Sequence, residues 1–194
     1  MAKLYFSYAS MNAGKSTVLL QASYNYRERG MRTLLLTAAL DDRAGSGRIA
    51  SRIGLAEDAT PFTEGDDLFA FVKAEHAKGA VACVFVDEAQ FLTERQVWQL
   101  ARVADDLSIP VMSYGLRTDF QGNLFPGSRA LLAIADELRE IRTICSCGRK
   151  ATMVVRMDGT GEPVREGAQI DIGGNDKYVS YCRRHWLELM GSRL

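Results

Sequence analysis

Gly14-Lys15-Ser16-Thr17 is the stretch whose residue types and spacing point most directly to chemistry, and the small residues Ala9, Ser10, Asn12 and Ala13 lead into it. An apolar run precedes this loop and a helical pattern follows it at once. In that setting successive backbone N–H groups and the positive end of the helix converge on one anionic pocket. Lys15 adds a point charge for outer phosphates, and the Ser16 hydroxyl is suited to Mg²⁺. The G-x-x-x-x-G-K-[ST] template has glycine where this chain has Ala9. Alanine resists positive φ, so the first turn of the loop is less well specified than its Gly-Lys-Ser end.

A second group is Asp87-Glu88, reached directly from the apolar run Val81-Ala-Cys-Val-Phe-Val86. An acid at the carboxyl end of a strand beside a phosphate loop completes a Mg²⁺ site, and Asp87 takes that role. Side chains alternate along a strand, so Glu88 points elsewhere and is a candidate general base for an acceptor hydroxyl. The bland alternative is a pair of solvated charges opening a loop. Cys83, inside the run, reads as a buried thiol acting as a small hydrophobe.

The third group is Cys145, Cys147, Cys182 and His185. Three sulfurs and an imidazole in two pairs with a long spacer fit a closed, structural zinc site of the ribbon type. The first pair is C-x-C rather than the commoner C-x-x-C, so four unrelated residues remain the competing reading.

These groups need elements to position them. Val18, Leu19, Ala22 and Tyr26 make an apolar stripe on a first helix that stops at Gly30. Thr33–Ala38 reads as a strand buried on both faces. Asp41–Arg48 is a polar, glycine-bearing loop. Its Arg43 is a candidate phosphate contact, as Arg48 and Arg52 could be, although arginines on a surface loop are commonly only solvated. A helix is expected at about 66–78, with His76 on its surface, and another through Val97, Leu100, Ala101, Ala104 and Leu107. A strand over 110–115 leads into Leu116–Pro126, a loop at the sheet edge where open α/β folds bind ligands. Phe120 and Phe125 on that loop either sandwich a flat base or pin the loop to the core. Residues 127–135 read as helix and 137–144 as a last strand. Beyond Cys145 the pattern predicts a β-hairpin around 152–161, then a glycine-marked loop over 167–178 that a metal-anchored end makes into a lid.

The fold class is therefore α/β with a mainly parallel sheet and a small C-terminal appendage. The chain has 194 residues with 24 Lys+Arg against 24 Asp+Glu, so no global basic field draws nucleic acid. Arg149, Lys150, Arg156, Arg183 and Arg184 leave a nucleic-acid module on the zinc ribbon as an alternative. A nucleotide hydrolase is another, although the Asn-Lys-x-Asp base-reading motif of Ras-type GTPases is missing. No apolar run reaches the length of a membrane span or forms a leader. Four cysteines so placed do not form a secreted disulfide framework, and the cytoplasm is the expected compartment.

Met11-Asn-Ala-Gly-Lys-Ser-Thr17, Asp87-Glu-Ala-Gln-Phe91, Tyr114-Gly-Leu-Arg-Thr-Asp-Phe120, the two cysteine-bearing pairs and Gly173-Gly-Asn-Asp-Lys-Tyr178 occur in this order along nearly the whole chain. Together they resemble the type II thymidine kinases, bacterial branch. The resemblance implies a P-loop (RecA-like) kinase domain over 1–143 and a zinc-ribbon/lasso domain over 144–194. It implies transfer of the ATP γ-phosphoryl group to the 5′-hydroxyl of thymidine or deoxyuridine, with Glu88 as general base. Ala9, Ser10, Met11, Asn12, Ala13, Gly14, Lys15, Ser16 and Thr17, with Arg43, Asp87 and Gln90, would hold ATP and Mg²⁺. Met11, Phe91, Leu116, Phe120, Phe125 and Tyr178 would enclose the base. Main-chain groups of the lasso, at Ile170, Asp171, Ile172, Gly173 and Gly174, would bond the thymine edge. Structural Zn²⁺, a homotetramer and feedback inhibition by dTTP are also implied.

Overall fold

The computed structural model describes residues 1–41, 45, 47–170 and 177–191. Strand β1 (Leu4–Ala9) runs into helix α1 (Lys15–Arg27), followed by β2 (Thr33–Ala38). Two short strands, β3 (Arg48–Ala50) and β4 (Ala56–Asp58), pair as an antiparallel hairpin before β5 (Thr60–Phe62). Helix α2 (Leu68–Lys78), β6 (Cys83–Val86), a 3₁₀ turn (Ala89–Phe91), α3 (Glu94–Leu107), β7 (Val111–Leu116), α4 (Pro126–Ile134) and β8 (Glu137–Glu140) complete the larger body.

Six strands form one sheet in the order β5-β2-β6-β7-β1-β8, and every pairing in it is parallel. Because β6, β7 and β1 are neighbours, the loops leaving their carboxyl ends share one edge, the usual place for a ligand in such a sheet. Side-chain alternation divides the core into two faces. Val84 and Val86 of β6 join Leu4, Phe6, Leu34 and Leu36 beneath α2, α3 and α4. Cys83 and Phe85 turn to the other face and meet Leu19, Leu20 and Tyr114. The fully buried run Cys83–Val86 is thus apolar throughout because both of its faces are covered.

Local signals fix the helix ends. Asp67 caps α2 by accepting from the Ala70 amide, and Thr93 with Gln96 forms a capping box on α3. The buried stripe of α1 differs from expectation. Val18 is 44% exposed, whereas Leu19 is buried as expected and is joined by Leu20 and Ser23, with Ala22 and Tyr26 partly buried.

The final stretch comprises β9 (Thr143–Ile144), β10 (Lys150–Ala151), β11 (Met153–Arg156), β12 (Tyr178–Tyr181) and α5 (Arg183–Met190). The expected last strand over 137–144 is two strands. β8 joins the main sheet while β9 pairs with β10. The turn at 158–161 does fold the chain back, with an antiparallel bridge between Met157 and Pro163 and the Val164 amide donating to the Arg156 carbonyl, but the return segment is too short to be the strand partner of β11. Its partner is β12, brought back from more than twenty residues away and anchored beside Cys182. Among the described residues, no helix is long and apolar enough to cross a membrane.

Candidate active site

The loop between β1 and α1 closes around a point of positive potential. Asn12 (φ 61) and Gly14 (φ 87) take the left-handed conformation. Ala9 does not, being the buried last residue of β1, so the template's glycine is not required by this backbone. Asparagine is among the few residues that adopt this conformation at little cost. Lys15 is the first residue of α1 and is only 8% exposed. A buried cation at the positive end of a helix is unfavourable unless an anion faces it. Asp87 supplies one negative charge, and the cleft over the loop has room for more. That cleft, of about 1610 Å³, is lined by Met11 through Thr17, by Asp87 and Glu88, and by Arg48 through Ile53 of the β3–β4 hairpin. Arg43 lies outside the described residues.

Just past the end of β6 the two carboxylates separate, as expected, although the left-handed backbone of Glu88 rather than strand alternation divides them. The Ser16 hydroxyl donates to Asp87 Oδ2 (2.8 Å), tying the phosphate-side loop to the acid. Burial, followed by the nearby Glu88 charge, pushes the Asp87 carboxyl up to about 7, against the pull of Ser16 and Lys15. A hydroxyl and a carboxylate oxygen so placed are hard donors that fit Mg²⁺. Glu88 turns away through a left-handed backbone (φ 51), a conformation that costs a non-glycine residue on the order of 1 kcal/mol or more. Strain of that kind persists only where neighbours hold it, and here the following 3₁₀ turn does so.

Glu88 also lines a second cleft, of about 580 Å³ and mainly apolar. Every described residue expected to enclose a base is found there: Met11, Phe91, Leu116, Phe120, Phe125, Ile170 and Tyr178. Phe91 and Phe125 meet edge to face with centroids 6.1 Å apart. Asp171, Ile172, Gly173 and Gly174 lie outside the described residues. Ser10 is buried, with its hydroxyl 3.5 Å from the Ala151 carbonyl. Gln90 is on this apolar side, with its amide bonded to Glu88, rather than over the phosphate-side loop.

In and beside the same cleft stand residues that the sequence did not assign to it. Asp119 accepts from Gln169 Nε2 (2.8 Å) and from the Asn123 amide (2.8 Å), joining the loop after β7 to the segment leading into the lasso. Val154 forms part of the wall, and the Trp186 indole N–H is shared between the carbonyls of Val154 and Phe120, each at 3.0 Å. The Arg156 guanidinium lies 4.0 Å over the Phe120 ring and donates to the Ala168 carbonyl (3.0 Å). No local pattern marks these residues, because their partners come from distant parts of the chain.

Cys145, Cys147, Cys182 and His185 do converge. Their ligand atoms all lie within 4.8 Å of one another, with Cys145 Sγ 3.1 Å from His185 Nδ1 and Cys147 Sγ 3.9 Å from Cys182 Sγ. Separations of this size suit a tetrahedral ion bonded to sulfur and nitrogen. His185 Nε2 is 3.8 Å from a Glu188 carboxylate oxygen, too far for a hydrogen bond. Burial works against a Cys145 thiolate, but amides of Cys147 and Cys182 and the His185 contact outweigh it and bring the thiol down to about 5. A thiolate at neutral pH is the form a metal binds.

A phosphate-side loop, a buried carboxylate pair and an apolar cleft meeting at one sheet edge define the class of α/β phosphotransferases. The thymidine kinase family model matches residues 2–186. The thymidine kinase of Rhizobium meliloti (strain 1021) is 73% identical over 192 residues, covering 98% of each chain. That of Agrobacterium fabrum is 73% identical over 188 residues, 97% of each chain, and that of Idiomarina loihiensis 62% identical over 193 residues and the full length of both. The chain belongs to the thymidine kinase family.

Proposed function

We propose that this protein transfers the γ-phosphoryl group of ATP to the 5′-hydroxyl of thymidine, giving dTMP, and likewise to that of deoxyuridine, giving dUMP, with Glu88 as general base. The observation that carries this division of labour is that Glu88, Met11 and Leu116 line both clefts. Glu88 therefore stands at the seam between an anion-binding loop and an apolar slot lined by aromatic side chains. Residues 9–17 act as a P-loop in a RecA-like domain over 1–143, their amides and Lys15 cradling ATP phosphates. Ser16 and Asp87 hold Mg²⁺, which neutralises phosphate charge when bound. Arg43 is a further phosphate contact in this reading.

In the apolar cleft Phe91, Phe125, Phe120 and Tyr178 enclose the base, and main-chain groups over 170–174 bond its edge. Glu88 accepts the proton of the 5′-hydroxyl as the new O–P bond forms. Cys145, Cys147, Cys182 and His185 hold Zn²⁺ in a ribbon that anchors a lasso within residues 144–194. The family reading extends to a homotetramer inhibited by dTTP, and the free thiols suit a cytoplasmic protein.

Incubation with Mg-ATP and a panel of nucleosides tests the substrate, with phosphate expected on thymidine and deoxyuridine. Glu88→Gln is expected to lower kcat by ~10²–10⁴ with thymidine binding retained. A variant as fast as the parent would remove Glu88 from the role.

A further inference from the structure

Glu88 cannot aim itself. Its backbone leaves β6 in the left-handed region, and its side chain is placed by what the next two residues do. Gln90, 1% exposed in the 3₁₀ turn, donates from Nε2 to Glu88 Oε2. Its other amide atom, Oε1, accepts from the Leu116 N–H at 2.9 Å. A backbone N–H can only donate, so this contact fixes which end of the Gln90 amide faces Glu88. The Leu116 peptide is itself held from its far side, where the Ser128 hydroxyl donates to its carbonyl at 2.5 Å.

The turn that carries Gln90 is clamped by two close approaches. A Cβ at Gly115 would stand 2.9 Å from the Gln90 nitrogen and 3.0 Å from its Oε1. A Cβ at Gly127 would meet the carbonyl oxygens of Ala89 at 2.4 Å, Leu92 at 2.7 Å and Gln90 at 2.9 Å. Only glycine at both positions lets β7 and α4 press on the turn this closely. Residues from three separate elements thus converge on one amide, and that amide terminates on the carboxylate. A neutral side chain buried so completely and bonded at both ends is a device for orientation rather than for ligand contact.

We propose that Gln90 is the positioning residue for Glu88: it fixes the carboxylate rotamer at the seam of the two clefts and acts on phosphoryl transfer only through it. This rests on Glu88 being the general base. The chemical consequence is geometric. A base must sit within hydrogen-bond reach of the hydroxyl it deprotonates, and a displacement of about 1 Å can cost ~100-fold in rate.

Gln90→Met keeps the length and bulk of the side chain and removes both bonds. The expected result is a kcat about 10- to 100-fold lower, with KM for thymidine and for ATP within about threefold of the parent. Placed in a Glu88→Gln background, the same change is expected to lower kcat no further, because the group it aims is gone. Losses that multiply in the double variant, or a parental kcat for Gln90→Met beside an impaired Glu88→Gln, would overturn the positioning role while leaving the base in place. A parental kcat for Glu88→Gln would instead overturn the base, and the proposal with it. Gly115→Ala reaches the same point without altering Gln90 and covers the case in which Gln90→Met does not fold. It is expected to lower kcat with both KM values kept, and parental turnover would count against the clamp.

Discussion

Burial gives Asp87 a proton to lose on binding a metal ion. Its carboxyl is held at about 7, against 3.8 for the ordinary group, by desolvation and by the charge of Glu88. Between those values the folded, metal-free protein binds more protons at this position than the unfolded chain does, so stability falls as pH rises from about 4 to 7. Urea midpoints of metal-free protein at pH 5 and pH 8 are expected to show this decline, and Asp87→Asn to flatten it. Mg-ATP should restore stability at the higher pH, since a cation then replaces the proton; equal slopes for parent and variant would refute the assignment. The polar residues of this site were legible because their chemistry dictates their types: Lys15, Ser16, Asp87 and Glu88 line one cleft. Gln90 was harder to place. A buried amide carries no charge pattern, and its partner Leu116 comes from another strand. Ala9 misled for the opposite reason, because the left-handed turn falls on Asn12 instead.

Elements decide the shape of the apolar cleft, and α5 reaches it through one side chain. Trp186 follows the metal-ligand candidate His185 and shares its indole N–H between carbonyls on two different walls, those of Phe120 and Val154. Trp186→Phe leaves the ring and removes the donor, stranding two acceptors at ~1–3 kcal/mol. The expected outcome is a thymidine Kd raised about 5- to 30-fold by calorimetry, with kcat within about threefold. Unchanged affinity would show that the walls keep their spacing without it. Arg156 works beside it, with its guanidinium on Phe120 and its hydrogen bond on Ala168. Helix α3 was readable from the sequence because it is long enough to display its period, and β6 because its unbroken apolar run marks a strand buried on both faces. The strands β3, β4, β9 and β10 span only two or three residues, too few for alternation to register. The partner of β11 was not readable either, because the metal-ligand candidate Cys182, rather than a local turn, returns the chain to it.

Across the whole molecule, stability is unevenly distributed. The two large core clusters are built from residues up to Ile141, on the two faces of the six-stranded sheet. Beyond that point the described buried apolar side chains are Cys145, Ala151, Val154, Val155, Cys182 and Trp186, and two of these are candidate metal ligands. So small a core cannot offset the ordering of nearly fifty residues, and a bound ion would have to supply much of the balance. This part meets the larger body at the apolar cleft, through Trp186, Arg156 and Gln169, and in further polar contacts that include three near the phosphate-side loop and β7. Ser180 donates to the Met11 carbonyl (2.6 Å), Asn12 to that of Tyr178 (3.1 Å) and Arg117 to that of Thr152 (3.1 Å). Two of the three land on the loop that faces the phosphates. Removing the metal with a chelator at neutral pH is therefore expected to open β9 through β12 and α5 to hydrogen exchange while β1, β6 and β7 stay protected. Thymidine affinity should fall at least tenfold in the same sample, because Val154 and Tyr178 leave the cleft wall together with the Trp186 bonds that brace it. The loop at 10–17 should still be protected by Mg-ATP, since its helix and Asp87 belong to the larger body. Exchange rising evenly over the whole sheet would mean that the two parts unfold as one, and exchange unchanged throughout would mean that the four ligand candidates contribute nothing to holding the cleft.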